Sequence, residues 1–185
     1  MIVIHPYDPT TTFLKPLYEE REGVELYTQQ HGNSTIRRAL NKRVYNGETV
    51  MMLGHGCEQG LLADTSPARK FDRLIINGSH VEFLRKTNCI GIWCNADMFA
   101  HKYRLKGLFS GMIISEIEEA FMYGIVVSPE EVEEENHRLT ELLIRALQEC
   151  PVHSDIPQWF RTHAPMETPL QRFNYNNIHY FTGED

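Results

Sequence analysis

Short apolar runs alternate with polar, capped segments along most of the chain, the pattern of an α/β fold. Met1–His5 reads as a first strand and Val24–Tyr27 as a second. Between them the spacing predicts a helix over Thr12–Glu20, with Thr10 to Thr12 as available caps. Asn33 or Ser34 caps a helix to Leu40 that carries Ile36 and Leu40 on one face. Asn46-Gly47 is a turn signal before a third apolar run, Thr49–Leu53. An irregular stretch with Gly54, Gly56, Gly60 and Pro67 leads to a further strand, Arg73–Ile76. Asn77-Gly78 makes a turn, and Ser79 caps a helix through Lys86 with Val81 and Leu84 facing inward. Cys89–Trp93 is short and apolar enough to be buried on both faces. Met112–Ser115 reads as a fifth strand, followed by a helical stretch from Glu116 to Tyr123. The clearest helix starts at Ser128, with Pro129 at its first position and Glu131 completing a capping box, and it ends at Pro151.

From Val152 onward three prolines and an aromatic run predict an extended arm or edge strand wrapped on the same domain. The organisation is therefore an α/β unit over residues 1–150 with an extension over 151–185. Its expected core is a mostly parallel central sheet with helices on both faces.

Composition sharpens this picture in three places. At 185 residues and 42% hydrophobic content the chain suits one globular domain with a sizeable core. Its four cysteines are too few and too irregular for a disulfide framework, which predicts a reducing, cytoplasmic setting. The amino terminus resembles a strand more than a secretory signal, and no apolar stretch approaches the ~18 residues of a membrane span. The net charge of −7 argues against a nucleic-acid partner. That charge is uneven: 14 Lys and Arg meet 11 Asp and Glu through residue 110, but only 4 meet 14 from residue 111. The acidic segment from Glu116 to Glu135 is either a solvated helix face or a surface that attracts a basic substrate or partner.

In parallel sheets, functional residues collect where strands end at their carboxyl edge. The third run delivers Gly54-His55-Gly56, and the Cys89–Trp93 run delivers Cys94. If the two strands are neighbours, an imidazole meets a thiol, and it can take the thiol proton or stabilise the thiolate. A low-pKa, alkylation-prone Cys94 that depends on His55 is the expectation. The N–H groups of Gly56 and Cys94 are candidate oxyanion donors, glycine allowing close approach of the backbone. Asp97 either orients a partner, recognises a basic substrate or caps the next helix, and Glu116 either lines a specificity pocket or opens a helix. His80 and His101 read as ordinary surface or helix histidines, and His5 as a strand-end residue facing the crevice. A zinc site from His55, Cys57, Cys89 and Cys94 fails on distance. Cys89 and Cys94 fall near opposite faces, ~17 Å apart at ~3.3 Å per residue, so no metal or cofactor is expected.

The block Val50-Met51-Met52-Leu53-Gly54-His55-Gly56, followed by Ile90-Gly91-Ile92-Trp93-Cys94, resembles the caspase-like (clan CD) cysteine peptidases. These include caspases, metacaspases, gingipains, separase and the bacterial CHAT domains, the last being nearest in character. The resemblance implies a caspase-haemoglobinase-like fold in which the two blocks are the third and fourth strands of the main sheet, with Arg73–Ile76 peripheral. It implies His55 as general base and acid, Cys94 as nucleophile, Gly56 as oxyanion glycine, and a peptide or protein substrate. Two positions before the cysteine, metacaspases carry an acid and caspases a glutamine; here stands Ile92, so neither family specificity carries over. A binding or signalling domain without turnover, and a cysteine-dependent small-molecule hydrolase, are the alternatives.

Overall fold

A computed structural model describes residues 1–43, 48–64, 66 and 70–184. Its strands are β1 (Ile2–Ile4), β2 (Glu25–Tyr27), β3 (Val50–Leu53), β4 (Gly56–Cys57), β5 (Gly60–Ala63), β6 (Arg73–Ile76), β7 (Cys89–Ile92), β8 (Lys106–Ser110) and β9 (Ile178–Thr182). Its α-helices are α1 (Asn33–Arg43), α2 (Val81–Leu84), α3 (Ala96–Tyr103), α4 (Ile117–Met122), α5 (Pro129–Glu149), α6 (Ile156–His163) and α7 (Pro169–Asn176). Six strands form the main sheet in the order β2-β1-β3-β7-β8-β9, all parallel except β9, which runs antiparallel to β8. A second antiparallel sheet, β4-β5-β6, hangs off the carboxyl end of β3.

Alternation along the buried strands sorts their side chains into two apolar layers. Ile2, Ile4, Val50, Met52, Cys89 and Phe109 pack on one face under α1, α2 and α3. Val3, Met51, Leu53, Ile90, Ile92 and Leu108 pack on the other under α5, α6 and α7. The predicted α/β class with a mostly parallel sheet covered on both faces is what forms. The carboxyl-terminal segment belongs to the same body: α6 and α7 cover the second layer, and β9 completes the main sheet.

Several local expectations are corrected. The helix read at Thr12–Glu20 is a 3-10 helix over Pro9–Leu17, because Pro16 removes a donor an α-helix needs and Asp8 caps the start. The fifth strand is Lys106–Ser110, not Met112–Ser115. Asn174 occupies the place a neighbouring strand would take, accepting from Ile114 N at 2.8 Å and donating to Ile114 O at 3.0 Å. Asn77, not Ser79, caps the segment before α2, accepting from Ser79 N at 2.9 Å. In the tail, Pro157 and Pro169 start helices instead of breaking them, since proline suits the first helical turn; only the last part is the expected edge strand. His80 is fully buried, with Nδ1 receiving Asn77 N at 3.2 Å, so it is no surface histidine. The Asn46-Gly47 turn and Pro67 lie outside the described residues. Among the described residues no helix is long and apolar enough to cross a membrane.

Candidate functional site

The β3–β7 register aligns the two candidate side chains. Leu53 pairs with Ile92, and Gly54 N extends the ladder by donating to Ile92 O at 3.1 Å. His55 and Cys94 each lie two residues beyond that pair, at equivalent places on adjacent strand ends. Both line one small cavity of about 20 Å³ with Thr11, Phe13, Ile113 and Ser115. Ser110 fixes the β7 end just before the cysteine, accepting from Trp93 N at 3.0 Å and donating to Trp93 O at 2.8 Å.

His55 is held from the carboxyl end of β1. Its Nε2 lies 2.6 Å from Thr10 Oγ1 and 3.5 Å from Asp8 Oδ1. Asp8 also accepts from Thr10 Oγ1 at 2.6 Å and from Thr10 N at 2.9 Å. A hydroxyl has one proton, and the carboxylate only accepts, so Thr10 gives its proton to Asp8 and accepts from His55 Nε2–H. That assignment fixes the tautomer and leaves Nδ1 as the basic nitrogen. Burial pushes the Asp8 carboxyl up, but the Thr10 donors and the His55 charge outweigh it and hold the group below its ordinary value. The Phe71 ring lies against the imidazole, tilted by 54° at 4.7 Å between centroids. Asp8 was missed in the sequence, although the strand-end rule that selected His55 applies equally to the residues after β1.

Cys94 meets a different partner. Its Sγ lies 3.6 Å from Ile113 O and 3.8 Å from Glu119 Oε1, the one thiol proton being shared between these two acceptors. The other carboxylate oxygen of Glu119 accepts from Ser115 N at 2.7 Å and Glu116 N at 3.1 Å, closing the start of α4. Burial first, and the Glu119 charge second, push the Cys94 thiol up to about 12. The expected low-pKa thiol is therefore corrected: this cysteine rests protonated in an apolar wall beside a carboxylate. Its backbone N–H has no acceptor among the described residues, whereas Trp93 N and Asn95 N on either side are engaged.

The remaining candidates separate. Gly56 is imposed by packing, since a Cβ there would lie 2.0 Å from Trp93 Cδ1 and 2.8 Å from Gly60 O. Gly56→Ala is expected to cost more than about 3 kcal/mol, read by urea denaturation, because both the indole and the hairpin must move. Asp97 sits in the first turn of α3, whose cap is Asn95, and faces a separate groove with Met98, His101 and Phe181. Glu116 borders the site: with Thr10, Phe13, Ser115 and Glu133 it lines an open groove of about 410 Å³ that shares Phe13 and Ser115 with the dyad cavity. Burial raises the Glu116 carboxyl, and the His55 charge acts against that shift. All four cysteines are free thiols, and among the described residues no group of His, Cys, Asp and Glu is arranged to hold a metal.

His5 lies buried beneath the cavity wall, its Nδ1 3.0 Å from Tyr18 OH and its Nε2 3.3 Å from Thr11 Oγ1. Burial, helped by the Lys15 charge, lowers its pKa from 6.5 to about 4. Above pH 6.5 neither state binds the proton; below it the unfolded chain does and the folded one does not. Stability is thus expected to fall as pH drops from 6.5 to 4, by about 3 kcal/mol at most, and His5→Gln to flatten the drop in urea midpoints.

No protein-family model matches the chain, and no curated protein matches its sequence.

Proposed function

We propose that this chain is a cysteine peptidase of caspase-like architecture that cleaves peptide bonds with a Cys94–His55 dyad. The observation that carries the reading is the placement of His55 and Cys94 on in-register ends of adjacent parallel strands, lining one cavity. Position supports it further. The histidine strand and the cysteine strand are third and fourth in the sheet order, and Arg73–Ile76 stands in the separate small sheet.

The substrate carbonyl enters between the two side chains. His55 Nδ1 takes the thiol proton as Sγ bonds to the carbonyl carbon, and the developing oxyanion is met by the Cys94 N–H and the backbone at Gly56. The protonated imidazole, balanced by Asp8 through Thr10, then gives that proton to the departing amine as the C–N bond breaks. Water, deprotonated by the same nitrogen, hydrolyses the thioester and restores the thiol.

The adjoining groove favours a basic substrate side chain, because Glu116 and Glu133 line it and, among the described residues, no lysine or arginine does. A fluorogenic peptide library is expected to show cleavage after Lys or Arg at least about tenfold faster than after Asp or Ala, with Glu116→Lys/Glu133→Lys removing the preference. Cleavage without that preference overturns the groove assignment and leaves the dyad standing. The second reading, a binding domain without turnover, is favoured by the Cys94 contact with Glu119 instead of with the imidazole. Absence of cleavage across the whole library decides for it.

A further inference from the structure

We infer that the end of α4 and the turn that closes it, Phe121 to Val126, form a docking surface for a basic, amphipathic segment of a partner protein. Nine large apolar side chains are exposed among the described residues, and four of them fall here: Phe121 at 74%, Met122 at 82%, Tyr123 at 48% and Val126 at 95%. The other five, Tyr7, Leu26, Phe71, Met98 and Val152, are scattered along the sequence, and only Tyr7 and Phe71 of them line a common pocket among the described residues. A run of this kind, open to water on a folded domain, is the mark of an interaction site.

The turn is built to hold these side chains outward. Ile125 N donates to Ala120 O at 2.9 Å and Gly124 N to Phe121 O at 3.1 Å, the paired bonds that close a helix through a left-handed residue. Gly124 supplies that residue, with φ +66°. Behind it, Ile117, Ala120, Ile125 and Val127 pack in one small apolar cluster, and the Tyr123 ring rests on Phe173 at 4.7 Å. Phe121, Met122 and Val126 are thus presented on a closed turn and not on a loose loop, which lowers the ordering cost of binding.

Charge selects the occupant. Glu118 on α4 and Glu130, Glu133 and Glu134 at the start of α5 are exposed, and no Lys or Arg occurs from Leu108 to His137. An anionic lipid surface is repelled by that rim, and two copies of the same tip repel each other. A segment with large apolar residues on one face and Lys or Arg beside them satisfies both features. The docking does not rest on the peptidase reading. It does place the partner on the helix that carries Glu119, within about one turn of the residue touching Cys94.

The test is fluorescence anisotropy of the full chain with a fluorescein-labelled amphipathic helix of about 14 Leu and Lys residues. Saturable binding in the micromolar range is expected, weakening with added salt. Phe121→Ser/Met122→Ser/Val126→Ser and, separately, Glu118→Lys/Glu134→Lys are each expected to weaken it at least tenfold with the thermal midpoint unchanged, since these side chains are exposed. The proposal is overturned by absence of saturable binding, or by full affinity in the triple serine variant. It is also overturned if the wild type, but not that variant, sediments with phosphatidylcholine vesicles, or if the wild type is a dimer that the variant dissociates.

Discussion

Cys94→Ala is expected to abolish peptide hydrolysis, a loss of at least about 10⁴-fold in kcat, while the protein folds normally. Among the described residues no other nucleophile lines the cavity at the β7 end, and its remaining hydroxyls at Thr11 and Ser115 stand on other segments. His55→Ala is expected to cost nearly as much, and the double variant no more than either alone, because the proposed mechanism has the two groups act in one step. Asp8→Asn is expected to lower kcat by about 10²-fold with KM little changed. In the proposed mechanism Asp8 acts through Thr10 on the imidazole and not on the substrate, orienting the ring and balancing the charge that forms there. Initial rates on the best library peptide check all four. Hydrolysis surviving in Cys94→Ala at wild-type rate sinks the dyad and returns the chain to the binding-domain reading.

Much of this site was legible because the sheet is buried on both faces. A strand buried on both faces is written as an unbroken apolar run, so Val50–Leu53 and Cys89–Ile92 mark their own ends, and the next residues are the ones at the crevice. The core of α5 was equally plain, since Leu139, Leu142, Leu143 and Ala146 repeat at the helical period and all are buried. The strand Lys106–Ser110 was not plain. Its exposed lysine and two small residues dilute the apolar signal, and Gly107 is there because a Cβ would lie 1.9 Å from Cys89 O, a contact that only the folded sheet creates.

What escaped the sequence at the site were partners set by long-range packing. Asp8 reaches His55 across 47 positions of chain, and Glu119 reaches Cys94 across 25. Both approaches depend on anchors invisible in one dimension. Thr140 Oγ1 on α5 holds Phe13 O at 2.8 Å, steadying the 3-10 segment behind Thr10, and Asn136 Nδ2 holds Ser115 O at 2.9 Å, steadying the start of α4. Gly56 is instructive in the opposite sense. Its glycine was read for chemistry, but the ring of Trp93 requires it whatever the chemistry.

The thiol itself gives the sharpest separation between the resting arrangement and an imidazole-activated one. With its pKa pushed to about 12, Cys94 at pH 8 carries a thiolate fraction ~10³-fold below that of an ordinary thiol near 8.5. Higher intrinsic nucleophilicity recovers about 1.5 decades, so iodoacetamide is expected to alkylate Cys94 roughly 10²-fold more slowly than a small-molecule thiol. The rate should climb about tenfold per pH unit between 8 and 11, as it does for any group titrated well below its pKa. Glu119→Gln removes the nearby charge but keeps an oxygen for Ser115 N and Glu116 N, so the helix start survives. Because burial is the larger cause and remains, the gain at Cys94 is expected to be about tenfold and no more. His55→Ala should leave this slow rate unchanged, since the resting thiol shares its proton between Ile113 O and Glu119 and not with the imidazole. Mass-spectrometric labelling of the intact protein decides it. Alkylation of Cys94 at free-thiol speed near pH 7, slowed by His55→Ala, means the imidazole already holds the thiolate and the Glu119 contact is not the resting state.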